Sequence, residues 1–256
     1  QTDKDGNLIY LYSNNLEEQY AYIDAAKNKG YNVLLMDGQL DVAMVSMLEH
    51  KLEKCRFTRV DSDVIDRLIA KDEPKGEELA NEKKDILSSV FRSQLPTMNK
   101  VEFNVETQAM GETGAPIMIT QSEYMRRMKE MSHIQAGMSF YGEMPDMFNV
   151  VLNSDHKLVK QVLEDANSAC SEELLPIETS IAALNFEQSE MQKKQQGMKY
   201  DEIPQADKDA LSEVEKKLAD EKSKKDAVLG KYAGGNKVIR QLVDLALLQN
   251  NMLKGE

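Results

Sequence analysis

The residue types that perform acid–base, metal and nucleophilic chemistry are few in this chain and poorly spaced for it. The three histidines, His50, His133 and His156, stand far apart. None belongs to the i, i+4 pair with an intervening carboxylate that a zinc hydrolase helix requires. Each reads as a surface or capping residue. Cys55 and Cys170 supply neither a four-ligand zinc site nor a disulfide framework, which fits a reducing compartment. Gly111-Glu112-Thr113-Gly114 lacks the Lys-Ser/Thr that completes a phosphate loop and reads as a turn. Asp3-Lys4-Asp5-Gly6 imitates a calcium loop. Registering Gly6 on that loop's glycine, however, puts Gln1 where an Asp is needed and Tyr12 where a bidentate Glu is needed. A β-turn before a strand is the better reading. Carboxylates are too numerous for one acid–base pair to be singled out, and no Ser/His/Asp set assembles from spacing. The chain predicts no enzyme, no metal and no cofactor of its own.

The elements that position these residues begin with an apolar strand, Leu8 to Tyr12. Asn14 and Glu17 resemble a capping box for a helix ended by Gly30; Asn32 to Met36 is a second strand, Gln39 to Lys51 a helix and Arg56 to Val60 a third strand. This is a βαβ series, a small α/β subdomain over residues 1–70, with Met36, Met44 and Met47 in its core and Asp61 capping a short final helix. The run Lys71-Asp72-Glu73-Pro74-Lys75-Gly76 marks a boundary. Residues 71–256 then read as a mixed α+β domain. It has a helix from Glu77 to Leu95, an alternating strand Val101 to Thr107 partnered by Pro116 to Thr120, and a third strand Met147 to Leu152. The fold class is α+β.

Residues 167–233 change character to Lys, Glu, Asp, Gln and Ala, with apolar residues at helical spacing interrupted at Tyr200 to Pro204. A solvated helical hairpin is predicted. The last helix, Lys237 to Leu253, has Asn236 as its cap. Val238, Ile239, Leu242, Val243, Leu245, Ala246, Leu247, Leu248, Met252 and Leu253 cover well over half its circumference. Such a helix either lies buried in its own domain or is covered on a second face by another copy of the chain.

The 256 residues carry a net charge of −12, which argues against nucleic-acid binding through a basic surface. The longest apolar runs are far short of a bilayer span and no signal segment opens the chain, so a soluble, unsecreted protein without membrane contact is expected. Gln1 in place of an initiating Met suggests a fragment or processed product. Fifteen methionines stand against no tryptophan, and eight of them fall between Met110 and Met147. In the helix predicted from Glu123 to Met138, Tyr124, Met128, Met131 and Met138 share roughly a quarter-turn. This stripe is either core against the neighbouring sheet or an open surface, since unbranched Met repacks around many apolar partners.

Four segments in the same order carry a resemblance: Leu8-Ile9-Tyr10-Leu11; Asn32-Val33-Leu34-Leu35-Met36; Ala115-Pro116-Ile117 followed by Met125 and Met128; and Leu152-Asn153-Ser154-Asp155-His156-Lys157-Leu158-Val159. Over about Leu8 to Ala166, and again Asn236 to Leu253, the chain resembles the heat shock protein 90 chaperones, most of all their bacterial form. The resemblance implies the end of a middle domain, up to about Ala70, joined to a C-terminal dimerisation domain. It implies a homodimer through a four-helix bundle, formed by Leu158, Val159 and Val162 in the helix His156 to Ala166 together with Val238, Ile239, Leu242, Val243, Leu245, Ala246, Leu248 and Met252. It also implies an exposed helix contacting unfolded client proteins through Tyr124, Met125, Met128, Met131 and Met138. ATP and magnesium would bind a domain preceding Gln1, so the parent would be a cytoplasmic, stress-responsive ATPase while this chain would not hydrolyse ATP. A purely structural dimer module, or the regulatory half of an enzyme, are the alternatives. Two features depart from the family: the insertion at 167–233, and Ser154 and Lys157 where prolines are common. The acidic terminal pentapeptide of eukaryotic cytosolic members is not visible before Glu256.

Overall fold

A three-stranded sheet opens the chain. In the computed structural model, which describes residues 1–38, 40–69, 78–132, 142–197 and 203–253, β1 (Leu8–Ser13) is flanked by β2 (Val33–Leu35) and β3 (Cys55–Arg59), both parallel to it. Parallel neighbours need crossovers, and α1 (Tyr20–Asn28) and α2 (Asp41–Lys51) supply them. The predicted βαβ series is present. Ile9 and Leu11 pack with Tyr22, Ile23 and Ala26 of α1, while Tyr12 and Phe57 pack with Met36 and Val45.

The structure departs from the sequence pattern at three places in this unit. α1 begins at Tyr20 because Asn15, not Asn14, accepts from the Glu17 and Glu18 amides, and the buried Gln19 side chain binds Ser13 and Asp61. Those contacts hold residues 16–19 as turn. Asp61 is engaged with the Arg59 guanidinium at 2.6 and 2.9 Å, so Asp63 rather than Asp61 receives the Val64 amide ahead of α3 (Ile65–Leu68). Met36 is buried as expected, but Met44 and Met47 are exposed, because α2 presents Val45 to the sheet and leaves Leu40, Met44 and Met47 outside at i, i+4, i+7.

The residues at 71–76, where the boundary is expected, lie outside the described set. From α4 (Asn81–Arg92) the chain builds a second sheet from β4 (Val101–Gln108), β5 (Ile117–Thr120) and β6 (Asp146–Asn153), in the order β4-β6-β5. β5 pairs antiparallel with β6, not with β4. The reason is legible in retrospect: Val150-Val151-Leu152 is a continuous apolar run, buried throughout, as an interior strand must be, whereas the alternation in β4 marks an edge. One face of this sheet packs on Leu87, Val90 and Phe91 of α4 and on the long helix that follows.

That helix, α6 (Lys157–Gln195), is 39 residues long and therefore about 58 Å at 1.5 Å per residue. The predicted bundle helix and the first arm of the hairpin are thus one continuous element, with Pro176 inside it. α7 (Gln205–Gly235) returns alongside, joined by a 2.9 Å Lys225–Glu178 ion pair and by buried Leu174, Val214 and Leu218. The hairpin is less solvated at its base than expected: Leu229 and Ala233 belong to the main core, and Ser89 of α4 bonds Asp226. α8 (Lys237–Gln249) closes the fold, capped by Asn236 as predicted, whose Oδ1 accepts from Val238 and Ile239.

Candidate functional site

α5 (Glu123–Ser132) follows β5 and lies against the first sheet. Its two faces have opposite chemistry, and the structure buries the charged one. Glu123 and Arg126 are 9% and 6% exposed, while Tyr124 between them is 63% exposed. Met125 and Met128 are half-buried. Of the two readings of the Met stripe, core or open surface, Tyr124 lies on the open side while Met125 and Met128 stand between the two. Met138 and the Met131 side chain lie outside the described residues.

What docks α5 is an ion-pair network that sequence reasoning missed. Glu123 Oε1 accepts from Tyr12 Oη at 3.1 Å, Arg126 Nη2 at 2.7 Å and Arg127 Nε at 2.6 Å; Oε2 accepts from Ser62 Oγ at 2.6 Å and the Arg59 amide at 3.4 Å. Arg127 continues to Glu49 of α2 at 2.7 Å and to the Phe57 carbonyl at 2.8 Å. Burial alone would raise the Glu123 pKa. The charge and hydrogen bonds of Arg126, the Ser62 hydroxyl and Arg127 outweigh it and hold the carboxyl at about 2. Burial works against the Arg127 charge as well, yet Glu49 and Glu123 keep it above its ordinary range. Tyr12 is raised by burial and by the Glu123 charge. The one advance signal was the spacing Glu123, Arg126, Arg127, which is i, i+3, i+4 on a helix. On the far end of the same helix Lys129 pairs with Asp146 at 2.6 Å.

The second apolar face is on α8. Of the residues assigned to a seam, Val159, Val162, Ile239, Leu242, Val243 and Ala246 are covered by their own chain in the main core, and so cannot line a surface. Leu158 and Met252 pack partly on that core. Val238, Leu245 and Leu248 are 41%, 49% and 58% exposed, and their spacing places them on one stripe. Leu40, just before α2, with Met44 and Met47 on it, adds a third face on the helix that Arg127 ties to α5.

The remaining candidates resolve as structure. His156 caps α6 by accepting from the Leu158 amide through Nδ1, and His50 is exposed at the end of α2. His133 lies outside the described residues. Asp3 Oδ1 accepts from the Asp5 and Asn7 amides, closing the turn before β1, and the Gly114 amide meets the Gly111 carbonyl in another turn. Among the described residues no group of His, Cys, Asp or Glu could hold a metal ion, and no helix is long and apolar enough to cross a membrane.

No protein-family model matches the chain. Along all 256 residues it is 66% identical to the chaperone protein HtpG of Bacteroides fragilis and 65% identical to that of Bacteroides thetaiotaomicron. Against the chaperone protein HtpG of Porphyromonas gingivalis the identity is 43%, again over the whole chain. The chain spans 38% of the length of the two Bacteroides relatives and 37% of the third. Identity at two residues in three over all 256 positions places the chain in the HtpG family of chaperones.

Proposed function

We propose that this region of an HtpG-type chaperone contacts unfolded client proteins and holds two copies of the chain together. The observation that supports client contact is the orientation of α5. Glu123, Arg126 and Arg127 are spent on the junction, which leaves Tyr124 outward and Met125 and Met128 at the surface margin. Flexible, polarizable methionine beside an exposed aromatic suits partners that share only apolar character. Self-association rests on α8, whose Val238, Leu245 and Leu248 stripe remains after its opposite face is buried.

The mechanism is mechanical. Two chains joined at α8 keep their other domains at high effective concentration, so that closure on a client becomes intramolecular. ATP and magnesium belong, in this proposal, to parts of the parent protein outside these residues, and the 256-residue chain itself does not turn over ATP. A division near residue 70 into the end of a middle domain and a dimerisation domain, and a cytoplasmic location, belong to the same proposal.

The test is the affinity of the chain for a reduced, carboxymethylated protein that cannot fold. Tyr124→Ser combined with Met128→Ser should weaken binding at least fivefold with no change in thermal midpoint. Equal affinity would remove the client-contact reading.

A further inference from the structure

Hydrophobic burial alone would turn α5 the other way. A helix with Tyr124, Met125 and Met128 on one side and Glu123, Arg126 and Arg127 on the other ordinarily buries the first set. Here Glu123 gathers five donors from β1, from β3, from the turn after β3 and from α5 itself. A carboxylate offers about four lone-pair positions on two oxygens, so this one is filled.

We infer that Glu123 is the positioning residue that sets which face of α5 meets solvent. Its contacts are directional: rolling the helix by one residue, about 100°, would carry the carboxylate away from Tyr12, Ser62 and the Arg59 amide together. Arg127 fixes the same register from its other end, because its guanidinium must reach Glu49 and the Phe57 carbonyl simultaneously. A buried ionic cluster of this kind contributes little net stability compared with apolar packing, and register is the best-attested use of such a cluster. The first sheet therefore dictates the presentation of the apolar residues on α5. The functional consequence rests on the client-contact reading; the positional statement does not.

The experiment is peroxide footprinting of Met125 and Met128 in the whole chain, alongside binding of the carboxymethylated protein. Glu123→Leu should slow oxidation of both methionines at least threefold, as the helix rolls its apolar face inward, and should weaken client binding by a similar factor. Glu123→Gln, which keeps an acceptor for Tyr12 and Arg126, should restore part of both. Unchanged oxidation rates would overturn the assignment. Faster oxidation would overturn it too, since it means that the helix has come away. Slower oxidation with unchanged client affinity would keep the positioning role and sink the client reading instead. If Glu123→Leu does not fold, Tyr12→Phe and Ser62→Ala each remove one donor, and both must slow oxidation; if either does not, the inference fails.

Discussion

The Tyr22 hydroxyl lies 2.9 Å from the side-chain oxygen of Asn250, joining a helix of the first α/β unit to the residue that ends α8. The same hydroxyl also meets the Ile119 carbonyl of β5. Asn250 in turn donates to the Ala246 carbonyl at 2.9 Å, so the last turn of α8 is closed by the side chain that receives Tyr22. The proposed self-association helix and α1 of the first α/β unit are thus in direct polar contact, 228 residues apart in sequence. Together with the Glu123 network this ties the first unit to the later chain at both α5 and α8, beside the Arg67–Glu106 ion pair to β4.

Tyr22→Phe removes the donor from two acceptors in a site that is almost dry. A cost of about 1–3 kcal/mol is expected, the penalty for leaving buried polar groups unpaired. Urea unfolding should show a lowered midpoint at unchanged slope. Burial, and next the Asp61 charge, raise the Tyr22 pKa well above its ordinary 10. A raised acid is stable in its neutral form below the unfolded value, so this contribution is intact below about pH 10 and is lost as pH rises through the folded value. The alkaline fall in stability should therefore be shallower in Tyr22→Phe than in the parent; identical alkaline limbs would rule the contact out.

Glu123 makes the opposite prediction in acid. Its pKa is held at about 2 against an ordinary 4.5, so its contribution is present above 4.5 and is lost as pH falls toward 2. The size is on the order of 3 kcal/mol from the shift itself, at about 1.4 kcal/mol per unit. Urea midpoints compared at pH 5.5 and pH 3 should fall in the parent by more than in Glu123→Gln, which has no carboxylate to protonate. Equal falls in the two proteins would show that the network carries no such linkage.

Much of the fold was legible, for reasons that differ by element. The βαβ series, α4, the hairpin and the capped α8 each announce themselves by period and punctuation, which are local properties. The pairing of β5 with β6 was not legible from alternation alone, because alternation says which face is wet and not which neighbour is bonded. The site was legible only by half. Tyr124 and the α8 stripe are apolar residues at helical spacing. The Glu123 network instead depends on Tyr12, Glu49 and Ser62, which lie 111, 74 and 61 residues away and carry no shared period. The same gap explains the assignment of Met44 and Met47 to the core: hydropathy marks them as apolar, but only the placement of Val45 against the sheet shows that they face out.

Gly230 tests the base of the hairpin. It sits inside α7, and a Cβ there would meet Ser93, the residue that ends α4, at 3.4 Å, an ordinary contact. Gly costs a helix interior about 0.5–1 kcal/mol relative to Ala through backbone entropy. Gly230→Ala should therefore raise stability by about that amount. A loss instead would mean that α4 and α7 approach more closely than this packing allows.

The seam on α8 can be tested by contrasting two faces of one helix. Leu245 and Leu248 are half-exposed, whereas Leu242 is 7% exposed and packed in the main core. If a second copy covers the outer stripe, Leu245→Asp with Leu248→Asp places two charges in that interface and nowhere else. Sedimentation should then report the 29.0 kDa single chain in place of the dimer, with helical circular dichroism and urea midpoint unchanged. Leu242→Asp buries an unpaired carboxylate and should lower stability by more than about 3 kcal/mol, dissociating the dimer only by unfolding the chain. The two variants separate an interface from a core: a folded monomer from the first pair is the signature of a seam. A first pair that still sediments as a dimer would move self-association away from Val238, Leu245 and Leu248. Because the stripe is small beside the roughly 800 Å² per partner of a standard interface, dissociation by only two substitutions is a demanding prediction for any larger contact surface.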